Sequence, residues 1–232
     1  MRRVLLKLSG EALAGDKKTG FDEATVTAVA KQVKKIVDEG IQTAIVIGGG
    51  NFWRGRSSGA IERTHADQIG MLATVMNCIY TSEIFRSQGM KTVIMTPFQI
   101  GAFTELFSKD RAVEALKEGK VVFFAGGTGH PYFSTDTGVV LRAVEMEVDA
   151  ILMAKNIDGV YTADPLKDPT ATLIRDITYT EALKRGLKVM DAAAFALCAE
   201  SKLPMVRVFG LDDPENLIRV LEGDPMGTFV HP

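Results

Sequence analysis

The stretch Ile45-Val46-Ile47-Gly48-Gly49-Gly50-Asn51-Phe52-Trp53-Arg54 decides how the rest of the chain is read. A short β-branched run predicts a buried strand. It stops in three glycines, followed by an Asn, two aromatics and an Arg. Consecutive residues without Cβ let a backbone turn sharply and approach another group closely. The amides of such a loop can aim their N–H donors at an anion, most often a phosphate. Arg54 adds a planar, permanently charged fork suited to phosphate oxygens. A tight strand-to-helix turn without a ligand would use the same glycines, so the stretch alone leaves both readings open. Neither common nucleotide loop is present. No G-x-x-x-x-G-K-[ST] occurs, and Gly48-Gly49-Gly50 lacks the third glycine of G-x-G-x-x-G.

Upstream, Val4-Leu5-Leu6-Lys7-Leu8 predicts a first strand, broken by Ser9-Gly10-Glu11. A lysine inside an apolar strand is costly to bury unless an anion pairs with it. The alternative is an edge strand with Lys7 in water, but the first strand of an α/β domain is usually central. Residues 15–20 read as a charged, glycine-bounded loop. Asp22 is a good helix N-cap, and Phe21 is placed to staple against Val26. Val26, Val29, Val33, Ile36 and Val37 share a helical face, and Gly40 ends that helix. A β-loop-α-β opening favours parallel strands with a right-handed crossover.

Downstream, residues 62–88 predict a long helix with Asp67 near its start. Its expected apolar face is Ile69, Leu72, Ala73, Met76, Ile79, Tyr80 and Ile84, with Met71 and Met76 as core filler. Further strands are expected at 92–96, 121–125, 150–153 and 205–209, and helices at 109–116, 179–184, 191–200 and 214–221. A last edge strand is expected at 227–230. The strand at 121–125 runs into Gly126-Gly127-Thr128-Gly129-His130-Pro131-Tyr132-Phe133-Ser134-Thr135-Asp136, which then enters an apolar helix. Ser134 or Thr135 would cap that helix. Asp136 would lie in its first turn, where the macrodipole favours an ionised carboxylate. A plain helix-start acid and a satisfied loop histidine are the alternatives for Asp136 and His130. Residues 155–165 read as a polar loop with a hairpin-like turn at Asp158-Gly159.

Alternating strands and helices indicate α/β architecture with a mostly parallel sheet. The length of 232 residues suits one such domain, 1–232, better than two small ones. A formal charge of −2 argues against electrostatically driven nucleic-acid binding. No apolar run approaches the roughly 18 residues that span a bilayer. Cys78 and Cys198 lie far apart in apolar surroundings and read as buried free thiols, which fits a cytoplasmic protein. His65, His130 and His231 have no metal-ligand spacing, and no G-x-S-x-G elbow appears. Glycine-rich breaks follow the first, second and fourth strands. In a parallel sheet all three fall at the carboxyl edge, where such folds bind ligands. Lys7, Arg54 and Asp136 would then meet among amide-rich loops, a set suited to phosphoryl transfer, where the protein positions groups and stabilises charge.

Taken together, several segments resemble the bacterial UMP kinases, a branch of the amino acid kinase family. They are Lys7-Leu8-Ser9-Gly10-Glu11-Ala12-Leu13, Ile47-Gly48-Gly49-Gly50-Asn51 with Arg54, Asp67 with residues 70–77, residues 128–136 and residues 158–165. The resemblance runs in order from Arg3 to Thr228, and the Asp67 and 128–136 segments narrow it to uridylate. It implies a three-layer αβα sandwich and transfer of phosphate from MgATP to UMP, giving UDP and ADP. By position, Lys7, Leu8, Ser9, Gly10 and Gly50 lie near the ATP phosphates, and Arg54 lies between the nucleotides. Gly49, Asp67, Thr128, Gly129, His130, Pro131, Tyr132, Phe133, Ser134 and Thr135 hold UMP, Asp67 at its ribose. Lys155, Asn156, Tyr161 and Asp164 serve ATP. Asp136 is the expected catalytic carboxylate and Asp191 a second acid. The resemblance names no metal ligand. It also implies a homohexamer, with GTP as activator and UTP as inhibitor. Two rivals stand beside it. One is a relative acting on acetylglutamate, carbamate or aspartate, and the other is a non-catalytic nucleotide sensor.

Overall fold

The structure is a computed structural model and describes residues 1–53, 61–187 and 189–232. Its strands are β1 (Arg3–Leu8), β2 (Gln42–Ile47), β3 (Thr92–Thr96), β4 (Glu105–Leu106), β5 (Val121–Phe124), β6 (Ala150–Lys155), β7 (Val160–Tyr161), β8 (Leu173–Ile174), β9 (Asp176–Thr178), β10 (Val206–Gly210) and β11 (Thr228–His231). Its helices are α1 (Gly10–Leu13), α2 (Glu23–Asp38), α3 (Arg63–Ser87), α4 (Lys109–Lys117), α5 (Thr135–Glu145), α6 (Tyr179–Lys184), α7 (Ala192–Ser201) and α8 (Asn216–Leu221).

Nine strands form one sheet in the order β4-β3-β5-β2-β1-β6-β10-β11-β9, so β1 is the middle strand, as its apolar run predicts. Pairing is parallel from β4 through β10, and β11 runs antiparallel to β10. Alternation along each strand divides the core into two layers. Leu5, Val46, Phe124, Ile151 and Met153 face α4, α5, α6 and α7, while Leu6, Ile45, Phe123 and Leu152 face α2, α3 and α8. The result is the expected three-layer αβα sandwich. Cys78 and Cys198 are buried free thiols, pushed up to about 12 by burial.

Local signals placed most elements well. Asp22 caps α2 by accepting from Thr25 N at 2.9 Å, and Val26, Val29, Val33 and Ile36 are buried. Phe21 stacks on Tyr80, with centroids 3.9 Å apart, and meets Phe52 edge-on.

Three expectations are corrected. On α3, Ile69, Leu72, Met76 and Ile79 are exposed, while Ala66, Ala73, Thr74, Asn77, Cys78 and Phe85 are buried. The helix turns a largely small and polar side inward. Second, β11 is not an edge strand, because β9 (only three residues long) pairs on its outer side. Third, Asp158-Gly159 joins no two paired strands. β7 pairs with β8, so the hairpin closes through residues 162–172.

Candidate active site

Strand alternation and register bring two lysines to one carboxylate. Lys7 lies on the same face of β1 as Leu5, and Lys155 on the same face of β6 as Ile151 and Met153. The strands are neighbours, with Lys7 opposite Met153. Helix α5 packs on that face through Val139, Val140 and Ala143, and its first turn carries Asp136 to the carboxyl edge. Lys7 Nζ is 3.2 Å from Asp136 Oδ1, and Lys155 Nζ is 3.7 Å from Asp136 Oδ2. The side chains of Lys7, Lys155 and Asp136 keep only 11%, 19% and 17% of their exposure.

Burial pushes the Asp136 pKa upward, but attraction to Lys7 and then Lys155 outweighs it, and the carboxyl stays below the ordinary range. Burial pulls Lys155 down, and repulsion from Lys7 adds to this. Asp136 opposes both without restoring the ordinary value. Lys155 Nζ also donates to the Val189 carbonyl. Asp136 Oδ1 is buried and, among the described residues, meets Lys7 Nζ as an ion pair.

The glycine loop stands beside this cluster. Gly49 and Gly50 serve close approach, and none of the three loop glycines has positive φ. A Cβ on Gly49 would come within 2.9 Å of the Gly70 carbonyl and 3.0 Å of Ala73 Cβ on α3. A Cβ on Gly10 would meet Asn51 Oδ1 at 2.5 Å and collide with the Gly48 carbonyl. The helix therefore has to be small where the loop leans on it, which is why its larger apolar side chains face outward. The 126–129 turn uses glycine differently. Gly126, Gly127 and Gly129 have φ of +80°, +58° and +85°.

Of the residues expected to hold an acceptor nucleotide, Gly49, Asp67, Thr128, His130, Phe133, Ser134 and Thr135 line one cavity of ≈ 220 Å³, together with Gly50 and Trp53, whereas Gly129, Pro131 and Tyr132 do not line it. Asp67 Oδ2 accepts from Tyr132 N at 2.8 Å and from Arg63 Nε at 2.7 Å, which ties α3 to the 128–133 loop. Ser134 also lines a second cavity of ≈ 410 Å³, with Asp136, Lys155 and Asp191. Another cavity, ≈ 880 Å³, lies at the opposite edge by Arg2 and Lys109, and none of the expected residues lines it.

Asp191 is fully engaged. It caps α7 by accepting from Ala194 N at 3.0 Å, and it accepts from Thr137 Oγ1 at 3.1 Å and from Ser134 Oγ. Ser134 in turn caps α5 by accepting from Thr137 N at 3.2 Å. Tyr161 and Asp164 sit on the excursion beyond β6, where Tyr161 Oη donates to Asp158 at 2.9 Å and Asp164 faces Lys167 at 3.6 Å. Among the described residues, no hydrogen bond or ion pair joins them to Lys7 or Asp136. Arg54 lies outside the described residues.

Sequence reading passed over Trp53, whose Nε1 donates to the Ala66 carbonyl at 2.7 Å, and the buried pair Thr74 and Asn77. The signal for the last two was polar residues at helical spacing in an otherwise packed helix.

A three-layer α/β sandwich that gathers two lysines, a carboxylate and amide-rich loops at the carboxyl edge of its sheet defines a phosphotransferase scaffold. The model of the Amino acid kinase family matches residues 2–208. The chain is 48% identical over 232 residues to the uridylate kinases of Bacteroides thetaiotaomicron and of a Nocardioides species, covering 99% of this chain and 98% and 97% of theirs. The crystal structure of UMP kinase from Bacillus anthracis superposes with a TM-score of 0.94 at 38% identity, over 99% of this chain and 96% of that one. UMP kinase from Ureaplasma parvum superposes with a TM-score of 0.92 at 34% identity, over 100% and 99%. The chain belongs to the amino acid kinase family.

Proposed function

We infer that the chain is a nucleoside monophosphate kinase that moves the γ-phosphate of ATP to UMP, giving UDP and ADP. One observation carries this reading. The Lys7–Asp136–Lys155 cluster adjoins, through Ser134 and Thr135 next to Asp136 in the chain, the cavity that the glycine loop lines together with Asp67 and Thr128. Relatives that it matches over 99% of its length are uridylate kinases. In the reaction a phosphate oxygen of UMP bonds the γ-phosphorus. The bond from that phosphorus to the bridging oxygen breaks, and its electron pair leaves with ADP. The acceptor needs no general base, because a phosphate monoester with a second pKa of roughly 6 is mostly dianionic at neutral pH. Asp136 therefore serves by orientation: it holds both ammonium groups where charge builds on the transferring group. Lys7, Leu8, Ser9, Gly10 and Gly50 border the donor phosphates, with Lys155, Asn156, Tyr161, Asp164 and Arg54 completing the donor side. Gly49, Asp67 and residues 128–135 border UMP.

ATP enters with magnesium in this reading. The residues present fit that ion: Asp136 Oδ1 is a buried anionic oxygen that, among the described residues, meets the Lys7 ammonium as an ion pair. No group of three or more His, Cys, Asp or Glu could hold a metal among the described residues. That suits an ion held chiefly by nucleotide phosphates and water, with one carboxylate. When bound, the ion neutralises charge on the phosphate oxygens.

Finer features belong to the same reading. The chain forms one domain over 1–232 and works in the cytoplasm in pyrimidine nucleotide synthesis. It assembles as a homohexamer, and the exposed apolar stripe Ile69, Leu72, Met76 and Ile79 on α3 supports self-association. GTP activation and UTP inhibition rest on the resemblance alone. No helix among the described residues is long and apolar enough to cross a membrane. A coupled ADP-release assay with UMP, CMP, acetylglutamate and aspartate tests the central claim. Turnover confined to UMP is expected, and turnover with an amino acid alone would overturn it.

A further inference from the structure

We propose that Thr74 and Asn77 are positioning residues: from adjacent turns of α3 they hold in place the two loops that the reaction must keep in line. The proposal rests on the reading of the site as one for UMP and ATP. Both side chains are buried, at 4% and 0% exposure. Thr74 Oγ1 donates to the Met71 carbonyl at 2.6 Å, which leaves a lone pair for Gly126 N–H, 2.8 Å away. Gly126 is the root of the stretch that lines the acceptor cavity. On its other side a Cβ would meet the Phe98 ring at 3.0 Å, so the root is wedged between Phe98 and Thr74.

Three residues on, Asn77 serves the other loop. Asn77 Nδ2 donates to Asn51 Oδ1 at 2.8 Å, and Asn51 Nδ2 donates to Asn77 Oδ1 at 2.9 Å. The remaining amide hydrogens reach the Gly48 carbonyl at 2.7 Å and the Gly20 carbonyl at 2.8 Å. Every donor of this buried amide pair is used, and a complete buried network is rigid. These bonds end on loop backbone, so their effect is felt at the site. One rigid helix thus sets the spacing between donor and acceptor loops, and a misplacement of about 1 Å can cost about 100-fold in rate.

Thr74→Val keeps the shape of the side chain and removes the acceptor, and Thr74→Ser keeps the acceptor. Asn77→Asp retains an acceptor for Asn51 but sets a carboxylate against the Gly48 carbonyl. Each variant is measured for melting temperature, kcat, both KM values and backbone hydrogen exchange. Thr74→Val is expected to lower kcat about tenfold or more and to raise the UMP KM, with the ATP KM within about twofold. Its exchange should quicken at 126–130 and not at 48–52. Thr74→Ser should restore both readouts, and Asn77→Asp should quicken exchange at 48–52. Hydrogen exchange requires no turnover, so it decides the positioning claim independently of the acceptor. Wild-type turnover with UMP tests the acceptor reading separately. A lowered melting temperature with unchanged kinetics and loop exchange would overturn the proposal, as would a Thr74→Ser variant impaired as much as Thr74→Val.

Discussion

At Asp136 two effects oppose one another. Burial disfavours its charge, and two ammonium groups within 3.7 Å favour it more strongly. Its folded pKa lies below the unfolded value, so the stabilisation is complete above the ordinary carboxylate range and is lost as pH falls through the folded pKa. Asp136 therefore adds no ionisation near neutrality. Lys155 is the group to watch on the alkaline side. Its folded pKa is below that of a free lysine, so an alkaline limb of kcat should begin below the usual lysine range. Lys155→Arg should move that limb upward, and an unmoved limb would assign it to another group. Lys7→Ala should lower kcat by roughly 100- to 1000-fold, about 3–4 kcal/mol, the scale of one preorganised charge contact. The protein should stay folded, because Asp136 keeps Lys155; near-normal turnover in a folded variant would remove Lys7 from the chemistry. Asp67→Asn should raise the UMP KM more than it lowers kcat, since a ribose contact binds ground and transition states alike. Steady-state kinetics with UMP varied checks this, and a fall in kcat alone would count against it.

Helices carry the next level of organisation. The start of α5 is held by a relay: Asp191 accepts from Ser134 and Thr137, Ser134 caps α5, and Asp136 follows in the first turn. Asp191 also caps α7. Asp191→Ala should cost about 0.5–2 kcal/mol through the lost cap. In a chain of this size that lowers the melting temperature by about 2–4 °C per kcal/mol. It should also lower kcat at temperatures where the variant is folded, because Asp136 loses its support. A lower melting point with unchanged kcat would confine Asp191 to stability.

On the scale of the molecule, α3 has two unlike sides. One presses small and polar residues on the loops, and the other leaves Leu72 and Met76 about half exposed, at 51% and 47%. Contiguous exposed apolar surface commonly marks an interaction site. On the proposed self-association, Leu72→Glu should give a smaller species than the unsubstituted protein in light scattering while the isolated fold persists. An unchanged mass would remove this surface from any assembly.

Much of this was legible along the chain, because it depends on neighbours in sequence. Alternation put Lys7 with Leu5 on one face of the central strand, Asp22 announced α2, and glycines after β1, β2 and β5 marked the carboxyl edge. Motif resemblance then supplied the family, which the matches along the chain bear out. Other features depended on what lies across the fold. Hydrophobicity alone turned Ile69, Leu72, Met76 and Ile79 inward, but Gly49 packs so closely on α3 that a Cβ on it would come within 2.9 Å of the Gly70 carbonyl and 3.0 Å of Ala73 Cβ, so the helix is small there. Pairing of the three-residue β9 made β11 an interior strand, and nothing local to 227–230 encodes that partner. The Lys155–Asp136 contact required β6 to lie next to β1, a matter of strand order. Periodicity and capping are properties of a few successive residues. Strand order, close approach and the facing of a helix are set by segments far apart in sequence competing for the same space.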